Sequence, residues 1–225
     1  FFYILFLILF WPVLWNNPIE KFFLAFQFFS HHYLQIQLLF NGNYVYSKLL
    51  PYDYIFTWIL ISTPILYLIL FVIGYILIFK RFFIRFINIK DNKLYYDLWR
   101  GNNEKKDFFI LFNVTSIIFY LVTSEIVLYN GWRHVYFINI FIVYFAVYAF
   151  YQIDINLKLR SIRKFQFITV TLCLVFIVYK MIIYHPYQNI YFNTFFNKSA
   201  HENFEIDYWG LSGKKFLKDL LELEN

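Results

Sequence analysis

Five adjacent residues, Asn130-Gly131-Trp132-Arg133-His134, place an indole, a guanidinium and an imidazole in one short turn between two apolar stretches. A guanidinium at a membrane boundary can grip a phosphate through paired, charge-assisted hydrogen bonds. The same Arg133 could serve bulk phospholipid headgroups or cap a helix. Two more charges, Glu125 and Lys180, stand inside apolar runs near their ends. Charge buried in lipid is costly, so these two either snorkel to the surface or face an outward cavity, paired with one another or with Arg133. His31 and His32 are adjacent, and neighbours on a helix point apart. A shared metal is therefore disfavoured, and His31 stays only as a binding candidate. His185-Pro186-Tyr187 follows the last apolar run, where the proline punctuates the helix, and His185 and Tyr187 complete the candidate set.

Soluble-enzyme motifs are missing from the chain: there is no P-loop, G-x-G-x-x-G, G-x-S-x-G or H-E-x-x-H. Gly210-Leu-Ser-Gly213 resembles a phosphate loop only superficially. Cys173 is the single cysteine, which excludes a disulfide or a cysteine-based zinc site within one chain. No metal ligands or cofactor are identified, and a divalent ion is left open.

The elements that must position these residues are membrane spans. The 225 residues are 61% hydrophobic and 15% charged, against roughly 45–50% and about 25% in soluble domains. No soluble fold of this size could hide so much apolar surface. The 32 Phe and 21 Tyr match what translation of an AT-rich genome gives and need no cofactor to explain them. A span needs about 20 apolar residues. The hydropathy predicts about five, at 1–15, 54–79, 108–129, 135–153 and 165–184, with Pro64 kinking the second. No ten-residue alternation punctuated by turns occurs, so strands and a barrel are not expected. The expected fold class is all-α, a polytopic transmembrane helical bundle.

Between the first two spans, Asn17, Pro18 and Glu20 read as a capping box for a helix over 18–30. Phe22, Phe26 and Phe29 fall on one face, with Glu20, Gln27 and His31 on another. This helix is expected to lie in the outward interface. Trp11, Trp15, Tyr52, Tyr54, Trp58 and Trp132 are expected to form an aromatic belt there. Residues 1–184 thus form a membrane domain and 185–225 a polar tail. The tail has a short ordered segment at Phe204–Gly210 and an amphipathic helix from Ser212, with Phe216, Leu217, Leu220, Leu221 and Leu223 on its apolar face.

Orientation follows from lysine and arginine. Twelve of the 20 basic residues lie in Lys80–Asp107 and Asp154–Lys164, which share one side if the spans alternate. Those loops are expected in the cytoplasm, leaving the Arg133 turn and the C-terminus outside it. The net charge of +6 therefore serves membrane orientation, not nucleic acid, whose basic residues would cluster on a polar face. The chain opens with Phe1 inside an apolar run. A fragment lacking its N-terminal part explains this better than a cleaved signal peptide, because a basic n-region and a small-residue cleavage site are missing.

Several segments together carry a resemblance: Trp11-Pro-Val-Leu-Trp15 with Asn17-Pro18, Leu50-Pro51-Tyr52 leading into Trp58-Ile-Leu-Ile-Ser-Thr-Pro64, Tyr129-Asn-Gly-Trp-Arg-His134, His185-Pro-Tyr-Gln-Asn-Ile-Tyr-Phe-Asn193 and Phe204-Glu-Ile-Asp-Tyr-Trp-Gly210. From about Trp11 onward the chain resembles the family 39-like glycosyltransferases of the GT-C superfamily, relatives of protein O-mannosyltransferases and aminoarabinose transferases. The resemblance implies a bacterial inner-membrane enzyme moving a sugar from a polyprenyl-phosphate carrier to an unknown acceptor outside the cytoplasm. It also implies a catalytic carboxylate in a first outward loop, to which no residue here corresponds, so the catalytic residue is unknown. Asn130 stands where an Asp is expected, and Asp53 where an aromatic is more usual. Two other classes fit the apolar spans: a transporter or flippase, with charges along a path across the bilayer, and a non-catalytic scaffold whose tail captures a partner. The mid-span stretches are apolar, which favours an interfacial site over a conduit.

Overall fold

The computed structural model describes residues 2–30, 35–87, 98–124, 126–196, 200–207 and 210–223. It is mostly helical and divides into two units, Phe1–Ile36 and Gln37–Asn225.

In the first unit, α1 (Phe2–Phe10) stops well short of Trp15, and a 3₁₀ turn at Pro12–Leu14 leads to α2 (Pro18–Ser30). Pro12 has no N–H to give the carbonyl four residues back. That carbonyl, Ile8 O, instead accepts from the Trp15 indole at 3.0 Å. The run 1–15 is therefore a broken helix, not one continuous span. The start of α2 also departs from the capping box. Asn17 takes a left-handed φ of 55°, and its side-chain amide donates to Glu20 Oε2 at 3.3 Å, so the two side chains bond to each other.

The second unit opens with a hairpin that the hydropathy reading did not expect, β1 (Gln37–Phe40) antiparallel to β2 (Asn43–Tyr46). Its two-residue turn, Asn41-Gly42, has φ of 49° and 74°, the left-handed pair a tight hairpin requires. Next come α3 (Tyr54–Ser62), α4 (Ile65–Ile87), α5 (Gly101–Thr123), α6 (Ile138–Asn156) and α7 (Arg160–Ile183), then a short α8 (Ala200–Asn203) and α9 (Gly213–Leu223). Among the described residues, four helices, α4 to α7, are long and apolar enough to cross a membrane. The expected 54–79 span is two helices, because Pro64 ends α3 instead of kinking one continuous helix.

Helix ends also depart from hydropathy ends. α4 runs eight residues beyond Phe79 and α5 starts seven before Phe108, so charges assigned to a loop sit on helices. There Arg81 pairs with Asp107, Tyr144 donates to the other Asp107 oxygen, and Arg85 reaches Glu104 at 3.1 Å. This network joins α4, α5 and α6 at the end bearing the basic connections. Glu104 also accepts the Arg100 backbone N–H at 2.6 Å, which starts α5 earlier than its apolar residues do.

Midway along α4, Gly74 lets α6 approach closely: a Cβ there would lie 2.0 Å from the Phe145 carbonyl oxygen. Small residues let membrane helices come together in this way. Phe145 is fully buried, ring against Phe71 and Tyr75. Tyr75 bonds Thr115 at 3.0 Å and so ties α5 to the same layer. α7 has no buried residue and is joined to α6 by Gln166 donating to Phe150 O at 3.3 Å.

Candidate functional site

Pro64 creates the site. Its missing N–H strands the carbonyl of Leu60 and ends the ladder before Ile65 can reach Ile61 O. Asn193, far along the chain and 2% exposed, takes up these acceptors. Its side-chain amide donates to Leu60 O at 2.6 Å and Thr63 O at 3.3 Å, and its backbone N–H donates to Ile61 O at 2.8 Å. The tail is thereby stitched to the broken helix, and the gap between α3 and α4 widens into a cavity of about 540 Å³.

The 130–136 turn forms the facing wall. Asn130 and Gly131 have φ of 54° and 72°, and a Cβ on Gly131 would lie 3.4 Å from the Trp58 ring. Tyr54 donates to Gly131 O at 3.3 Å. The Trp132 indole donates to Ser62 Oγ at 2.8 Å, and the Ser62 hydroxyl donates to Trp58 O at 2.6 Å. Tyr54, Trp58 and Trp132 are buried and so stand inside the protein, not in an aromatic belt; Trp15 and Tyr52 remain exposed. Behind the wall, Trp58 packs on Phe192 and Phe204, and Phe204 also meets Phe40 of the hairpin. The hairpin and tail therefore buttress the site, with Gly42 N donating to Asn203 O at 3.1 Å.

Arg133 lines the cavity and lies over the Tyr129 ring, 4.9 Å from its centroid. It is the charged residue among the described residues of the lining, none of which is acidic. Tyr67, Tyr136, Asn139, Asn189 and Tyr191 add neutral hydrogen-bonding groups. Burial, with the neighbouring Tyr184 phenol adding to it, pushes the Tyr191 phenol up and keeps it protonated. Three lining residues carry side-chain atoms that are buried without a partner: the Trp58 indole N–H, the Thr63 hydroxyl and both ends of the Asn189 amide. Leaving such groups unmade costs about 1–3 kcal/mol each, and these atoms are sealed behind the lining.

Of the other expected residues, His134, Lys180, His185 and Tyr187 lie around this cavity and not in its lining. His134 is exposed and sets its ring edge against Tyr129, 4.5 Å between centroids. Lys180 lies over Phe176 and Tyr184, whereas Ile177 and Met181 of the same helix line the cavity. His185 meets Gln188, a lining residue, through Nδ1 at 2.9 Å. Tyr187 is half-buried next to it but not in the lining. Glu125 and His31 lie outside the described residues. Among the described residues, no three His, Cys, Asp or Glu side chains gather to hold a metal ion. Sequence reading took Asn189 and Asn193 only as part of the 185–193 segment and gave neither a place in the site; the signal for Asn193 was Pro64, which orphans a carbonyl that a donor from elsewhere then meets. No protein-family model, no curated protein and no solved structure matches this chain.

Proposed function

We propose that this chain is part of a bacterial inner-membrane glycosyltransferase that moves a sugar from a polyprenyl-phosphate donor to an acceptor outside the cytoplasm. The cavity beside Pro64 is its donor-headgroup site. In this reading α4 to α7 cross the bilayer, and α1 belongs to a fifth crossing. α2 lies in the outward interface, and the tail follows on the extracytoplasmic side. The distribution of lysine and arginine supports this orientation: the α4–α5 and α6–α7 connections, with the helix ends that meet them, hold 12 of the 20 basic residues, and the cavity is at the opposite helix ends.

The observation that carries the proposal is the lining itself. Among the described residues, a cation stands among neutral donors and acceptors and aromatic faces, without an acid. Arg133 would hold the phosphate through paired N–H groups and stabilise the charge that grows on it as the sugar leaves. Tyr67, Asn139 and Tyr191 of the lining would offer hydrogen bonds to sugar hydroxyls. A conduit fits less well, because Phe145 plugs the layer below the cavity against Phe71 and Tyr75. The test is Arg133→Ala in native membranes, with transfer from a polyprenyl-phosphate sugar as the readout. Turnover should fall about 100-fold, the scale for losing one preorganised donor. Unchanged turnover and donor affinity would remove Arg133 from the mechanism.

A further inference from the structure

The most one-sided element of the molecule is α9. At 100° per residue, Phe216, Leu217, Leu220, Leu221 and Leu223 fall within one arc of about 160°. Lys214, Lys215, Lys218, Asp219 and Glu222 occupy the rest. A face of that width normally packs on a core. Yet no residue of α9 is buried, and the five apolar side chains are 40–83% exposed. The helix is nevertheless firmly begun: the Asp207 carboxylate accepts from the Leu211 and Ser212 amides at 2.8 and 3.1 Å and from the Ser212 hydroxyl.

We propose that α9 lies in the membrane–water interface on the side where α7 ends, with its apolar arc in the acyl boundary. Eleven residues extend only about 16 Å, too short to cross a hydrocarbon core of about 30 Å, so the helix can lie on the bilayer but cannot span it. Lys214 and Lys218 stand at one margin of the arc, where their stems can follow the apolar face and their ammonium groups reach lipid phosphates. The chain from the end of α7 keeps α9 tethered to the same bilayer, so its local concentration there is high. Seated in this way, α9 anchors the tail that carries Asn193 and Phe204 against the cavity wall. The inference rests on α4 to α7 spanning the membrane and is independent of the transferase chemistry.

The experiment uses the full chain with Cys173→Ala and single spin-labelled cysteines, reconstituted in phosphatidylcholine vesicles with a minority of phosphatidylglycerol. Collisions with oxygen and with a water-soluble nickel complex are compared at Leu217→Cys, Leu220→Cys and Lys218→Cys. Val175→Cys, exposed on α7, serves as the reference for lipid. Oxygen preference at 217 and 220 several-fold above that at 218 supports the interfacial seat. Three results overturn it: equal accessibility at all three tail positions places α9 in water, spin–spin broadening at 217 and 220 places it on a second copy, and shielding from both reagents places it on protein. If Val175→Cys lacks oxygen preference, the spanning assignment itself fails, and the proposal with it. Joint Leu217→Glu and Leu220→Glu should make Lys214–Lys218 at least 10-fold more sensitive to trypsin in vesicles; unchanged cleavage would also overturn the seat.

Discussion

Replacing Asn193 with alanine removes both donors that the side-chain amide gives to Leu60 O and Thr63 O, while the backbone bond to Ile61 O stays. A buried carbonyl left without a partner costs about 1–3 kcal/mol. The Leu60 bond is short and the Thr63 bond long, so a combined loss of about 2–4 kcal/mol is expected, including a small cavity term. Denaturant unfolding in mixed micelles measures it. The sharper test is a double-mutant cycle with Pro64→Ala. Alanine at position 64 restores the N–H that can bond Leu60 O within a continuous helix, so Asn193 then has less to satisfy. The cost of Asn193→Ala should fall by about 1 kcal/mol or more in that background, within the range for residues sharing a partner. An equal cost in both backgrounds would refute the idea that Asn193 compensates the proline. A wild-type midpoint for Asn193→Ala alone would refute the stitch entirely.

Gly74→Ala drives a methyl group into the Phe145 carbonyl, and backbone cannot turn aside as a side chain can. A loss towards the upper end of the usual 1–3 kcal/mol for overpacking is expected, read from the same unfolding curves; an unaltered midpoint would mean that α4 and α6 do not meet there. The Ser212 hydroxyl first, then the Ser212 and Leu211 amides, hold the Asp207 carboxyl below its ordinary value of 3.8. The attachment of α9 is therefore fully present above that value and lost as pH falls through the lowered one. A spin label at position 217 should become mobile over that acidic window, and Asp207→Asn, which does not titrate, should abolish the step. A step that persists in Asp207→Asn would assign it to another group.

Hydropathy made the four long helices legible because lipid-facing sides need only be apolar, and α7 shows this most plainly. It could not place their ends. Arg81, Arg85, Glu104 and Asp107 look like loop charges when each is read alone, but they neutralise one another across α4 and α5 and stay helical. The hairpin was legible in principle from Asn41-Gly42, but its two strands are only four residues each and lie between longer apolar runs. Within the site, Arg133 and Trp132 stood out because three chemistry-bearing side chains share a short turn. The neutral walls, Thr63, Asn139 and Asn189, did not, since single hydroxyls and amides carry no spacing signal. Pro64 showed where the chain must break but not which residue would meet the freed carbonyls, a partner 133 residues away.

The stitch at Asn193 also bears on the order in which the molecule matures. Translation delivers Leu60 and Pro64 to the bilayer long before it reaches residue 193, so every spanning helix can insert while the break still lacks its donor. The pocket is then among the last features to be finished, and a chain halted in its final stretch would leave an inserted bundle with an open seam.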